Sequence, residues 1–573
     1  MPRLHTLFVL ATMALLPTLI TAAEVKPREP KEAKEFVSWG LGDPDQDHVE
    51  GTRTSRAYAE LNLKPPAQPI IVAVIDSGID ITHPDLKPVM WTNQREADGK
   101  PGVDEDGNGF IDDVYGWNFL GSRDGKKMIV AGTMEVTREL ARVRKLVADK
   151  KATPEQLEEL TKLETQYAEE RDEHAQGLIR LTSSTAIASE LINALVAQGL
   201  TDPTPAGVAA FTPTKPSGEI YKQMYRRFSR DGTSAADLRK QLEEERSNLD
   251  IQFDLEFDES AIIGDDPTKL DERGYGNPNI DKDPHGFHGT HVAGIIGAVR
   301  GNGVGIDGHC AWVQVMSVRA VPNGDERDKD VANAIRYAVD NGAKIINMSF
   351  GKSLSPNKAY VDDAFRYAAA HDVLLVHAAG NDGKNCDFEP HFPNQIALDT
   401  STGERFENVL EVGASSPKRD KLAASFSNYG QRNVDLFAPG ADIPSTVPGG
   451  GIEPSSGTSM AAPTAAGVAA LVWTQHPELS AVQLRRALID NVRRYPGLRV
   501  VQPGSRSTRV LFETLSASGG VIDAWQTLRA LAPKPPVDSA TAAAVTPTDE
   551  TGTTPTPAVP VPPTSTPVSK PQP

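Results

Sequence analysis

Three residues carry side chains able to form a nucleophilic relay, and each lies in a stretch suited to holding it still. Ser459 sits in Gly457-Thr458-Ser459-Met460-Ala461-Ala462-Pro463, followed by small apolar residues as far as Val472. Such a run predicts a slim helix able to cross a domain interior. A serine at its start has an unpaired backbone N–H and the positive end of the helix dipole beside it, so negative charge forming there is stabilised. A serine hydroxyl still needs a base, and the base needs a partner to orient it. His288, within His285-Gly286-Phe287-His288-Gly289-Thr290-His291-Val292-Ala293-Gly294, offers an imidazole at the start of a second small-residue helix. Asp76 ends the β-branched run Ile70-Ile71-Val72-Ala73-Val74-Ile75 and so falls at the carboxyl edge of a buried strand, where parallel sheets carry their chemistry. In the order Asp, His, Ser, the carboxylate fixes the imidazole tautomer, and the imidazole takes the serine proton and later returns it to a leaving group. The chemistry implied is acyl transfer through a serine ester.

Positioning three such distant residues takes a large framework. Further buried-strand candidates cover 313–318, 344–348, 373–376, 409–412 and 434–437, with helical patterns at 328–340 and 361–370 between them. Strand alternating with helix predicts an α/β fold with a mostly parallel sheet covered on both faces. The domain is formed from residues 69–119 and 285–532, with 508–512 and 521–531 as a last strand and helix. Between its two pieces, 120–284 reads as a charged helical insertion. Thr153-Pro154-Glu155-Gln156 is a helix start with a capping box, Leu160, Leu163 and Tyr167 fall on one face, and Val136, Leu140, Val143 and Val147 do so upstream. Separate helical stretches follow at 185–198 and 235–247. Residues 24–68 read as an irregular arm, and the Pro/Thr-rich 533–573 as a disordered tail.

With 573 residues the chain can hold one large domain plus additions. Its formal charge of −18 argues against nucleic acid or an anionic membrane as the main partner. Residues 1–23 combine a basic start, an apolar core over 7–20 and the small residues Thr21-Ala22-Ala23. They predict a signal peptide cut after Ala23, hence a secreted or periplasmic protein with no membrane span after its removal. The sequence leaves the oligomeric state open.

Val72-Ala73-Val74-Ile75-Asp76-Ser77-Gly78-Ile79-Asp80, His288-Gly289-Thr290-His291-Val292-Ala293-Gly294 and Gly457-Thr458-Ser459-Met460-Ala461-Ala462-Pro463 resemble the three signature segments of the subtilisin-like serine proteases. The resemblance covers about half the chain and implies a three-layer subtilisin-like fold and a secreted endopeptidase of protein or peptide substrates, with no cofactor required for the chemistry. It makes Asp76 the orienting carboxylate, His288 the base and Ser459 the nucleophile. Ala378-Ala379-Gly380-Asn381 becomes the oxyanion segment, with Asn381 as side-chain donor and Ala379 and Gly380 beside the substrate. Ser349-Phe350-Gly351 becomes one wall of the cleft, the loop at Asn323-Gly324-Asp325 the other, and a peptide adds between them as a strand. The long insertion departs from the family pattern and could cap the cleft, restrict substrates or replace a prodomain. Two other readings remain: an inactive binding protein on the same fold, and a processing enzyme or peptide ligase using the same acyl-enzyme.

Asp104-Glu105-Asp106-Gly107-Asn108-Gly109-Phe110-Ile111-Asp112 resembles the first nine positions of an EF-hand loop, which would set Asp104, Asp106, Asn108 and Asp112 around a structural calcium. Tyr115 stands where a bidentate Glu is expected, and a merely acidic turn is the other reading. Asp325, Glu326 and Asp328 read as a solvated loop, or as a preference for basic side chains. His291 and Asp80 read as packed behind the relay, His377 as a core histidine and Met460 as packing. Cys310 and Cys386 are expected at opposite sheet edges, unbridged.

Overall fold

The β-branched runs assemble into one sheet in the computed structural model, which describes residues 38–229, 234–281, 286–389, 391–398 and 403–532. The predicted signal peptide and Pro/Thr-rich tail lie outside the described residues, as does His285. Strands β1 (Ile70–Asp76), β2 (Gly116–Asn118), β3 (Val313–Arg319), β4 (Ile345–Met348), β5 (Leu374–Ala378), β6 (Val409–Ser415) and β7 (Leu436–Pro439) run in the order β7-β6-β5-β4-β1-β3-β2, every neighbouring pair parallel. Beyond β7 the short Gly520–Val521 adds parallel and Arg493–Arg494 antiparallel. Successive side chains of β1 enter opposite cores: Val72 and Val74 one, Ala73 and Ile75 the other. Each fully buried Val or Ile contributes about 1.5–3 kcal/mol. The expected α/β class, with helices on both faces of a mainly parallel sheet, is what forms.

One face carries the serine helix Thr458–Gln475 and the histidine helix Phe287–Gly297, the other Asp328–Asp340 and Lys358–Ala370. The small residues of the serine helix are there for close approach. A methyl group on Gly467 would lie 3.2 Å from the Ile296 carbonyl of the histidine helix. Pro463 has no N–H to offer the carbonyl of Ser459 one turn earlier. That carbonyl instead accepts the Ser349 hydroxyl at 2.9 Å, which ties the serine helix to the end of β4.

The insertion differs from its sequence reading in one respect. A single 43-residue helix, Pro154–Val196, replaces the separate segments expected from 154 and at 185–198. Its middle is rich in Glu, Arg and Ala, good helix formers with no apolar stripe, so periodicity is silent where propensity carries the helix through. The expected Thr153/Gln156 capping box opens it. Leu163 packs with Leu140 and Val143 of the helix Glu135–Ala148, and Ile192 and Leu195 pack with Tyr225. The strand expected at 508–512 forms as Arg509–Leu511 but pairs with Arg499–Val501, outside the main sheet.

The described part of the arm, residues 38–68, is more ordered than its composition suggests. Thr54–Glu60 is helical, and Arg56 stacks on Trp525 of the helix Ala524–Leu531 with its guanidinium carbon 4.0 Å from the ring centre. Arg493 donates to the Gly51 carbonyl at 2.8 Å, and the Ala524 N–H to that of Thr52 at 2.9 Å. Among the described residues no helix is long and apolar enough to cross a membrane.

Candidate active site

Register sets the chemistry on one edge. Asp76 ends β1, Met348 ends β4 and Ala378 ends β5, so Asp76, Ser349 and Ala379 come to the same carboxyl edge. The Asp76 carboxylate is buried and accepts the Ser77 N–H at 2.7 Å. Its two oxygens lie 2.8 Å and 3.0 Å from His288 Nδ1. Ser77 also orients the histidine helix, its hydroxyl accepting the Gly289 N–H at 3.2 Å. Burial pulls the imidazole pKa down, but the charge and hydrogen bond of Asp76 outweigh it, and His288 sits above its ordinary value. The ring keeps 39% of its side-chain surface open.

Ser459 lies in the first turn of its helix, as its sequence context predicts. Its hydroxyl donates to the Ser349 carbonyl at 3.0 Å, and not to His288. Asn381 is oriented by Thr458, whose N–H and hydroxyl reach Asn381 Oδ1 at 2.8 Å and 3.0 Å. Among the described residues the other end of the amide, Nδ2, has no hydrogen-bond partner. A methyl group built on Gly457 would lie 3.6 Å from both Asn381 Nδ2 and Ser459 Cβ, so the two flank one small space. Thr458 is a residue that sequence reasoning missed; its place beside Ser459 marks it only once the Asn381 loop is brought to it.

The expected cleft walls divide into framework and open edge. Ser349 is buried and bound to Ser459 in both directions. Ala379 is buried in a hydrophobic cluster, and its carbonyl accepts from Asn428, so it supports the site without lining it. Gly380 gives its N–H to Thr458 Oγ1 and its carbonyl to the Asn428 N–H, and it too is framework. Phe350 gives its carbonyl to His377, while Gly351 lines a cavity. Across the cleft the Asn323 backbone pairs with Val130 and Gly132 of the insertion. Gly324 between them has φ 154°, and a Cβ there would meet the Gly132 carbonyl at 2.2 Å, so only glycine fits. Among the described residues the backbone N–H and C=O of Gly324 and Gly351 have no hydrogen-bond partner.

Asp325, Glu326 and Asp328 are not a solvated loop; all three are buried. Lys352 Nζ meets Asp328 at 2.8 Å, Glu135 at 2.6 Å and the Glu326 carbonyl at 2.7 Å. Arg138 donates to the Asp325 and Glu326 carbonyls and pairs with Glu135 at 2.8 Å. Burial alone would push the Glu135 carboxyl up, but the Arg138 and Lys352 charges overturn that and hold it at about 2. Among the described residues no cation hydrogen-bonds the Glu326 carboxyl and one of its oxygens has no partner, and burial holds it well above the carboxylate range. Glu135 and Arg138 thus dock the insertion onto both walls of the cleft.

The acidic loop also rearranges its expected ligand set. Asp104 and Asp106 converge with Glu96, their oxygens within 4.8 Å of one another. Asp112 is not part of this group; its backbone takes φ 57°, and its carboxylate accepts the Gly102 N–H at 2.8 Å. Asn108 lends its oxygen to the Phe110 N–H and its amide to Asp106 and Asp113. Glu96, remote from the motif, carried no local signal. Among the described residues none of the three converging carboxylates forms an ion pair, and such an all-oxygen, uncompensated set suits a hard divalent cation.

His291 is buried with Nε2 3.0 Å from the Glu453 carbonyl, and burial lowers it to about 4. Asp80 accepts the Gly449 N–H at 2.9 Å and Thr82 locally. His377 bridges Glu411 and the Phe350 carbonyl within the core, Met460 is buried, and Cys310 and Cys386 are both free thiols.

The model of the subtilase family of peptidases (S8) matches residues 67–503, and the match runs through the insertion. The chain is 42% identical over 206 residues to a thermophilic serine proteinase of Bacillus sp. (strain AK1), covering 35% of this chain and 47% of that one. It is 39% identical over 222 residues to a cell wall-associated protease of Bacillus subtilis (strain 168), covering 39% and 23%. Over 214 residues it is 38% identical to alkaline elastase YaB of Bacillus sp. (strain YaB), covering 37% and 51%. The chain spans about half the length or less of these relatives. A solved structure of a Pseudoalteromonas arctica PAMC 21717 protease aligns at 29% identity over 42% of this chain and 70% of that one, with a TM-score of 0.35. With its parallel sheet, its three signature segments and a family match over most of its length, the chain belongs to the subtilase family.

Proposed function

We propose that the chain is a serine endopeptidase that hydrolyses peptide bonds through an acyl-enzyme on Ser459. The observation that carries this reading is the Asp76–His288 pair, with Nδ1 2.8 Å from the carboxylate, at the sheet edge that also holds Ser459 and Asn381. Nδ1 keeps its proton and donates it in a hydrogen bond to Asp76, so Nε2 is the nitrogen that exchanges protons with substrate and serine. The cycle starts when the Ser459 hydroxyl turns from the Ser349 carbonyl to His288. Ser459 Oγ attacks the scissile carbonyl as His288 takes its proton, and the oxyanion is met by the Ser459 N–H and Asn381 Nδ2. His288 then protonates the leaving amine. Water, deprotonated by the same imidazole, releases the acid and restores the serine. Substrate adds as a strand using the open backbone groups of Gly324 and Gly351.

In this reading residues 69–119 and 285–532 are the peptidase domain, 120–284 is an insertion docked on its cleft, and the protein is exported by a signal at 1–23. Glu96, Asp104 and Asp106 would hold a structural calcium, which neutralises their charge and takes no part in the chemistry. The test is labelling with a fluorophosphonate. Wild type should be labelled and cleave casein, and Ser459→Ala should do neither. An unlabelled wild type that leaves casein intact overturns the reading. A short amine nucleophile added to the assay tells hydrolysis from ligation by the product formed.

A further inference from the structure

A cavity of about 800 Å³ lies between the insertion and the substrate cleft. Gly351 and Ser353 of one cleft wall, Asp325 of the other and Asp382 beside the Asn381 segment line one side. The helices Pro154–Val196 and Ala235–Gln252 line the opposite side. A pocket that touches both cleft walls and the oxyanion segment is placed to receive a side chain of a bound peptide.

Its ionisable lining is mostly acidic, with His174, His391 and two lysines as the remaining members. The insertion contributes Glu173 and Glu245, and the cleft contributes Asp382; among the described residues none of these is in an ion pair. Asp325 is 8% exposed and lines the cavity. One of its oxygens accepts the Glu135 N–H at 2.8 Å; the other, on a side chain that lines the cavity, makes no hydrogen bond and is left for a donor that the chain does not supply. The two lysines in the lining do not offset this charge. Lys352 is consumed by Glu135 and Asp328, and Lys384 pairs with Glu389 at 3.8 Å. His391 sits in the lining, its Nε2 2.2 Å from where a Cβ on Gly351 would be and 3.1 Å from one on Gly380. Burial and the nearby His377 pull it down to about 3, so the ring is neutral and adds no positive charge.

We propose that this cavity takes a basic side chain, lysine or arginine, of the substrate peptide, with the insertion as its outer wall. The proposal rests on the peptidase reading above. It assigns the insertion a part in selectivity, and it gives Asp325 the free acceptor that a guanidinium or ammonium group would engage.

The experiment uses the full chain and fluorogenic peptides carrying arginine or norleucine at each of the four positions before the cleaved bond. At one position arginine should exceed norleucine in kcat/KM by about tenfold. That ratio should fall about threefold in the Glu173→Gln/Glu245→Gln protein, whose changes are on exposed side chains, and about tenfold in Asp325→Asn, which keeps an acceptor for the Glu135 N–H. Should either variant fail to fold, the other still decides. No preference at any position, or a preference that the variants leave intact, overturns the proposal. Fluorophosphonate labelling of the same samples separates the two readings. Labelled enzyme without the preference sinks the pocket alone; wild type that neither labels nor cleaves sinks the peptidase reading and the pocket with it.

Discussion

His288 Nδ1 lies within 3.0 Å of both oxygens of Asp76, so the imidazole is held by a carboxylate that is itself buried. The raised imidazole pKa has two consequences of opposite sign. Its attraction to Asp76 stabilises the fold below the ordinary value of 6.5 and is lost as pH rises through the raised one. Activity needs the neutral ring, so the acid limb of kcat/KM should lie above 6.5. Asp76→Asn should move that limb to lower pH and cut kcat about 10⁴-fold. An unmoved limb in this variant would show that another group titrates.

Asn381→Ala should lower kcat about 10²–10³-fold with KM little changed, the range known for such a side-chain donor in subtilisin. Thr458→Val removes one of the two donors to Asn381 Oδ1 together with the acceptor of the Gly380 N–H, and keeps the backbone donor, so a loss of about tenfold is expected. Steady-state kinetics on one peptide check both. A rise in KM alone would mean that Asn381 binds the ground state.

Glu135→Ala leaves Lys352 buried with one carboxylate where it had two. The expected cost is about 3 kcal/mol in denaturant unfolding. With the folded Glu135 carboxyl at about 2, its contribution is present above the ordinary 4.5 and disappears as pH falls toward 2. Wild type and variant should therefore converge in strong acid.

Glu326 titrates in the opposite sense. Burial raises its carboxyl, so the fold is favoured below the ordinary 4.5 and loses stability as pH rises through the raised value. Glu326→Gln should flatten that decline and gain about 2 kcal/mol on wild type in mild alkali. Unfolding curves across the pH range measure it; parallel curves for the two proteins contradict the assignment.

Calcium should raise the thermal midpoint and a chelator should lower it. Glu96→Gln and Asp104→Ala should abolish the difference, whereas Asp112→Ala should retain it, because its carboxylate faces Gly102. A response lost with Asp112 and kept with Glu96 would restore the motif's own ligand set.

The parallel sheet is legible in the sequence because its strands are buried on both faces and read as unbroken β-branched runs. Asp76 and the start of the serine helix are legible for a related reason, since each closes such a run or opens a small-residue one. The long insertion helix is not, because its middle has propensity without an apolar face. The burial of Asp325, Glu326 and Asp328 is not legible either: their partners Glu135, Arg138 and Lys352 come from distant stretches, and three acids among four residues read locally as surface. Glu96 fails for the same reason, since a carboxylate outside a motif announces nothing until the chain folds it in.

The contact of Arg56, Glu60 and Trp525 reaches further than packing. Trp525 Nε1 bonds Glu60 across 465 residues of sequence, and Arg493 reaches Gly51 across 442. Contacts of such separation form slowly and late. During synthesis, which delivers residues from the amino end first, the helix Thr54–Glu60 cannot make this contact until the region around 525 has been made. The helix Ala524–Leu531 therefore closes on the helix Thr54–Glu60 only after the whole sheet between them has been made.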